Sequence, residues 1–148
     1  MPSQETPCPG EEYRQFDFWI GDWEVFDEAG TPQGTNHIEQ ILSGCALQEN
    51  WVGAHGSVGH SFNAFDKNTG RWHQTWVDNG GLLLQLDGEL EGDAMVLSGP
   101  GTSRDGEPIT HRITWTALDD GRVKQHWQVS PDGEEWKDVF VGLYNQAG

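Results

Sequence analysis

Residues 71–77, "RWHQTWV", alternate in polarity: on an extended chain Trp72, Gln74 and Trp76 share one side, and Arg71, His73, Thr75 and Val77 share the other. This two-residue period returns along almost the whole chain, interrupted by turn-forming runs: "DEAGTPQG", "SG", "AHGS", "DKNTG", "DNGG", "EGD", "GPGTSRDGEP", "DDG" and "SPDGEE". Those nine breaks predict ten strands, at residues 19–26, 35–42, 46–52, 59–65, 71–77, 82–89, 94–98, 109–118, 122–129 and 137–144. Only "GEEYRQFDFW", ahead of them, has room for a short helical turn. Helical apolar spacing is absent from the rest, and 20 glycines disfavour it.

Short connections make sequential antiparallel pairing the economical topology, and ten such strands leave two open edges unless the sheet closes. The expected fold is therefore all-β: an antiparallel up-and-down barrel with a short N-terminal helical turn, preferred over a two-sheet sandwich. A length of 148 residues fits one domain spanning the chain, with residues 1–12 expected as a flexible segment.

Five strands repeat one device, a polar residue two positions before a large ring: Glu49/Trp51, Asn63/Phe65, Gln74/Trp76, Gln125/Trp127 and Asp138/Phe140. The opposite faces, with Arg71, His73 and Thr75 or Arg122, Lys124, His126 and Gln128, read as solvent, so the ring-bearing faces are expected to point inward. Burying an unpaired amide costs about 1–3 kcal/mol and an unpaired carboxylate more. Such an interior calls either for a roomy cavity or for a filled polar network in which amides bond to one another. Leu82, Leu84, Leu86, Met95 and Leu97 are expected to form an apolar wall.

At "FDFWIGDWEV" the chain resembles a known group, because Gly21-Asp22-Trp23 matches the G-x-W signature of lipocalins and the wider calycins. With "GCALQENWVG", "GHSFNAFD", "RWHQTWVD" and the closing "DGEEW…GLY", the pattern is similar to a bacterial lipocalin-like family of small, mostly uncharacterised proteins, from about Phe16 to Tyr144. The resemblance implies a barrel whose Trp23 closes the bottom. Lipocalins proper stack a basic residue from the last strand region on that tryptophan, whereas "DVFVGLYNQAG" contains no Lys or Arg.

Composition narrows the partners. Twenty-four Asp and Glu against eight Lys and Arg give a formal net charge of −16, which repels nucleic acid and anionic bilayers. No export signal or long apolar run is visible, so a soluble cytoplasmic protein is expected, with Cys8 and Cys45 as reduced structural thiols. Two-fold association is compatible with the sequence, though no patch specifies it.

The leading expectation is a binding protein that encloses a small, largely apolar or aromatic molecule. Trp51, Phe65, Trp76 and Trp127 would surround it, Asn63, Gln74 and Gln125 would orient its polar atoms with Glu49, and Tyr144 would sit at the rim or anchor the last strand. The competing class is a cofactor-free isomerase, lyase or cyclase using Glu49, Asp78 or Asp138 as general acid or base, although Asp78 also suits initiation of the "DNGG" turn.

No HxH, HExxH or Cys/His cluster points to a metal, and no cofactor is expected. His111 shares a side with Ile113 and Trp115 and is expected as a hydrogen-bonded interior histidine. The alternative is an axial haem ligand, by analogy with the haem-binding barrels called nitrobindins. Ser61 lacks a nucleophile-elbow context and is expected as a polar lining residue, and Arg112 as half of a structural ion pair.

Overall fold

The computed structural model describes residues 7–147. All ten expected strands form: β1 (Gly21–Phe26), β2 (Pro32–Ile41), β3 (Ala46–Gly53), β4 (Val58–Asp66), β5 (Arg71–Asp78), β6 (Leu83–Glu91), β7 (Ala94–Thr102), β8 (Pro108–Ala117), β9 (Val123–Ser130) and β10 (Lys137–Gln146). Each pairs antiparallel with its neighbours in sequence, and β1 meets β10 to close the barrel. Closure removes the two free edges that ten sequential strands would otherwise expose. Among the described residues no helix is long and apolar enough to cross a membrane.

Antiparallel order gives the barrel two unlike ends. The odd-numbered strands run from a closed end to an open end, and the even-numbered strands return. The segment preceding β1 covers the closed end with two 3₁₀ turns, Glu11–Arg14 and Asp17–Trp19. Trp19, expected in the first strand, instead ends the second turn. Its ring stacks on Phe16 at 4.8 Å between centroids, and both rings pack on Trp115, at 5.1 Å and 5.3 Å. Trp72 meets Phe16 edge-on at 5.6 Å. Trp23 lies buried at this end, and its Nε1 donates to the Trp19 carbonyl at 2.8 Å. Above this plug Leu47, Leu84, Leu86, Met95 and Leu97 are buried inside, whereas Leu82 lies in the β5–β6 turn and is 37% exposed. The apolar wall is therefore one leucine shorter than expected.

The two cysteines are not free thiols. Cys8 and Cys45 form a disulfide with their Cα atoms 5.3 Å apart, because the segment before the plug runs past the β2–β3 connection at residues 42–45. Arg14 strengthens the junction by donating to the Gly44 carbonyl and pairing with Asp17 at 3.4 Å. The expectation of a flexible 1–12 segment falls in half on residues 1–6, outside the described residues; Cys8 is tied by its disulfide, and Glu11 and Glu12 open the first 3₁₀ turn. The expectation of reduced thiols is thereby corrected.

Candidate functional site

The polar-then-ring device has opposite meanings on strands of opposite direction. On β3, β5 and β9, which rise toward the open end, it sets Glu49, Gln74 and Gln125 deep and Trp51, Trp76 and Trp127 above them. The first three are buried and the indoles half-buried. On the descending β4 the same device inverts. Asn63 is buried in the wall, and Phe65 lies below it among Tyr13 and Trp72 at the closed end, away from the cavity.

Above the plug the barrel is hollow. A cavity of about 320 Å³ is ringed by Trp51, Trp76, Trp127 and Phe140, and deeper in by Glu49, Gln74, Gln125 and Tyr144. Leu84, Ile113 and Trp115 complete its lining, with Gln33, His55, Ser57, Asp78 and Val139 nearer the turns of the open end.

The three mouth indoles are held by their own N–H groups. Trp51 Nε1 donates to Ser57 Oγ at 3.1 Å, Trp76 Nε1 to Asp78 Oδ2 at 3.0 Å, and Trp127 Nε1 to His111 Nδ1 at 3.0 Å. With the polar edge of each indole satisfied by the wall, ring faces and carbon edges remain as contact surface. Small residues make room for the rings. A Cβ on Gly59 would lie 2.3 Å from the Trp76 ring, and one on Gly34 2.8 Å from Trp51.

Beneath the rings a continuous hydrogen-bonded belt crosses six strands. Gln74 Nε2 donates to Asn63 Oδ1 at 2.7 Å, Asn63 Nδ2 to Ser61 Oγ at 2.9 Å, and Ser61 Oγ to Glu49 Oε1 at 2.7 Å. From the other side Asn36 Nδ2 donates to Glu49 Oε2 at 2.8 Å and to Tyr144 OH at 3.0 Å, and Tyr144 OH donates to Gln125 Oε1 at 2.6 Å. The interior is therefore both things the sequence left open, a polar network in the wall and a hollow above it.

Glu49 is where the donors converge, and neither Asn36 nor Ser61 carries charge. Burial pushes its pKa up to about 7, against the opposing effect of those two hydrogen bonds. Burial, reinforced by the Glu49 charge, holds the Tyr144 phenol well above its ordinary value, so it stays a neutral donor.

The other two carboxylates have different roles. Asp78 spends one oxygen on Trp76 and the other on the backbone N–H groups of Gly80 and Leu82, at 2.9 Å and 3.1 Å, which makes it a turn former that also fixes an indole. Asp138 does not share the inner face with Phe140. A bulge at Val139 shifts the β9–β10 register, so Asp138 pairs with the outward Gln128 and its Oδ1 meets His126 Nε2 at 2.7 Å on the outer surface. Arg112 forms no ion pair among the described residues; its guanidinium lies 3.8 Å over the Trp136 ring and its Nη2 donates to Gln128 at 3.0 Å.

His111 is buried in the wall, and burial lowers its pKa. Its Nδ1 accepts from Trp127, and its Nε2 lies where a Cβ on Gly101 would be, 2.3 Å away. The geometry matches the interior hydrogen-bonded histidine. The sequence did not single out Asn36 of the belt, Trp115 and Phe140 of the lining, or the open-end residues Gln33, Ala54, His55, Ser57 and Val139 as site residues. For Asn36 the signal was its place two positions before the inward Ile38, a polar–aliphatic version of the same device.

Residues 9–146 match the family model DUF1579, described as a protein of unknown function. No curated protein matches the chain. Since that match spans all ten strands and the plug, the chain belongs to the DUF1579 family.

Proposed function

We propose that this protein is a lipocalin-like binding barrel that encloses a small, largely apolar or aromatic molecule. The observation that carries the reading is the hollow of about 320 Å³, bounded by three indoles whose N–H groups are already bonded and floored by a hydrogen-bonded polar belt in which only the Asn36 Oδ1 is buried without a partner among the described residues. A concave, mostly apolar lining with a few convergent polar groups is the usual composition of a small-molecule site. Trp51, Trp76, Trp127 and Phe140 supply contact area, while Glu49, Gln74, Gln125 and Tyr144 orient polar atoms of the guest. Asn63 acts one step back, by holding Gln74.

The test uses N-phenyl-1-naphthylamine, a neutral dye that brightens in apolar surroundings. It is expected to titrate the protein to saturation and to quench tryptophan emission. In the Trp76→Ala/Trp127→Ala double variant, affinity is expected to fall about tenfold or more, since each removed ring takes away about 1–2 kcal/mol of contact. Equal titration curves for the two proteins would overturn the reading.

One observation favours catalysis as the second reading: Glu49 lines the cavity and, with a pKa of about 7, exchanges its proton near neutrality. A general acid–base step on a bound substrate would use it. Glu49→Gln separates the readings, because an enzyme loses turnover by about 10²-fold or more whereas a carrier has no turnover to lose.

A further inference from the structure

We infer that the guest of this cavity carries a positive charge, and specifically that it is an aromatic or apolar amine whose ammonium group sits against Glu49 while its body lies among the indoles. The inference rests on the binding reading above and adds the ligand's charge. Five observations carry it.

The first is what the lining lacks. The chain has eight Lys and Arg residues and none of them lines the cavity. Arg14 is tied to Gly44 and Asp17 at the closed end, Arg112 lies over Trp136 on the outer face, and Arg122 bonds Asp120 in the β8–β9 turn. An anionic guest would find no partner for its charge and would enter against a formal protein charge of −16.

The second is the state of Glu49. Its two oxygens each accept one hydrogen bond, from Ser61 and from Asn36, and each keeps acceptor capacity. Both partners are neutral, so an ionised Glu49 is a buried charge without a counter-charge. The rise of its pKa to about 7 has burial as its main cause. A cation placed beside it would supply the missing charge and form a charge-assisted hydrogen bond, stronger than any the belt provides.

The third is the ring wall. With their N–H groups bonded to Ser57, Asp78 and His111, the three indoles offer the negative faces of their π systems, which attract an ammonium group. The fourth is the direction of the belt. Every donor nearest Glu49 points toward it, so the site is built around an acceptor and leaves the proton-bearing role to the guest. The fifth is depth: Glu49 is only 4% exposed, so an ammonium group reaching it leaves bulk water and must be attached to an apolar body that carries it there.

The titratable groups around Glu49 are few. Tyr144 faces it from β10 and stays protonated; β2, β4, β5 and β9 present Asn36, Ser61, Gln74 and Gln125, which do not titrate, and the other titratable groups of the lining, Asp78 at the end of β5 and His55 in the β3–β4 turn, lie toward the open end. Glu49 is the deepest carboxylate of the lining, and the Glu49→Gln variant separates its proton exchange from that of Asp78 and His55.

The experiment is calorimetric titration with matched probes in phenyl, naphthyl and indolyl series, each as the 2-aryl-ethylamine, the 2-aryl-ethanol and the arylacetate. At pH 8 the best amine is expected to bind at least about tenfold more tightly than its alcohol, and the arylacetate to be the weakest of its series. Between pH 8 and pH 6 the amine's advantage is expected to shrink by about tenfold, because at the lower pH a proton must leave Glu49 before the cation can pair with it. In Glu49→Gln the amine-to-alcohol ratio at pH 8 is expected to fall by about tenfold. Alcohol binding equal to amine binding, or arylacetate binding best, overturns the charge assignment and leaves the binding reading standing. Failure of all nine probes at millimolar concentration overturns the binding reading itself.

Discussion

At the closed end Trp19, Trp23, Trp72 and Trp115 are at most 1% exposed and lie ring against ring, whereas at the open end Trp51, Trp76 and Trp127 are half-buried and border a hollow. The same residue type serves two ends by different means. In the plug Trp19, Trp72 and Trp115 pack around Phe16; Trp23 and Trp72 give their N–H groups to the neighbouring Trp19 carbonyl and Gln15 side chain, whereas the N–H groups of Trp19 and Trp115 are buried without a partner among the described residues. Around the mouth the N–H groups reach sideways into the wall; Trp51 meets Phe140 edge-on at 6.1 Å and Trp127 lies 5.8 Å from the His111 ring, and the remaining ring surface borders the hollow. The apolar area of the open end is thus held by hydrogen bonds and small residues as much as by ring packing, and part of it stays exposed to the hollow, as the proposed binding role requires.

Substitutions at the two ends should therefore separate stability from binding. The largest expected effect is at the plug: Trp19→Ala should lower unfolding free energy by about 3–5 kcal/mol, whereas Trp76→Ala, removing a ring that already faces a cavity, should lower it by only about 1 kcal/mol. Denaturant titration of both variants checks the contrast, and equal losses would erase the distinction between the ends. Next comes the staple of the plug. Cys8→Ser/Cys45→Ser opens a loop with a sequence separation of 37, and should lower stability by about 3–4 kcal/mol on chain-entropy grounds. Affinity for N-phenyl-1-naphthylamine at temperatures well below the transition should change little, because neither sulfur borders the cavity.

The belt between the ends gives a pH dependence of similar size. Folding raises the Glu49 pKa from 4.5 to about 7, so the folded state binds the extra proton over that window. Its stabilising contribution is full below about pH 4.5 and is lost as pH rises through 7, by about 3 kcal/mol in all. Relative to wild type, Glu49→Gln should therefore show a stability that declines less between pH 5 and pH 8. Parallel pH profiles would show that the carboxyl is not buried as described. The smallest effect concerns the seat of one mouth ring. Gly59→Ala places a methyl group against Trp76 and should push the indole into the cavity, at a stability cost of about 1 kcal/mol but with a several-fold loss of probe affinity.

Much of this fold was legible because period-two alternation and turn residues are local signals. Ten strands and the closed antiparallel order follow from them directly. The inward face was legible too, since Gln74 and Trp76 share parity with Trp72, whichever way the strand runs. Depth was not legible. The pair Asn63/Phe65 reads like Gln74/Trp76 until strand direction is considered, and a descending strand turns the ring toward the plug. Parity itself failed at Asp138, where one extra residue, Val139, sends the carboxylate outside. The disulfide depended on where the segment before the plug crosses the closed end, a long-range contact with no trace in spacing. Asn36 escaped because its companion on the inner face is the aliphatic Ile38, not a ring.

The central claim is that an organic guest occupies the hollow between the mouth indoles and the Glu49 belt. A crystal of the protein grown with 2-(1-naphthyl)ethylamine at pH 8 tests it most directly. Ligand density is expected between Trp51, Trp76 and Trp127, with the amine nitrogen within hydrogen-bond distance of a Glu49 carboxylate oxygen. A barrel whose indoles have closed over a solid interior, or that carries the amine only on its outer surface, would contradict it.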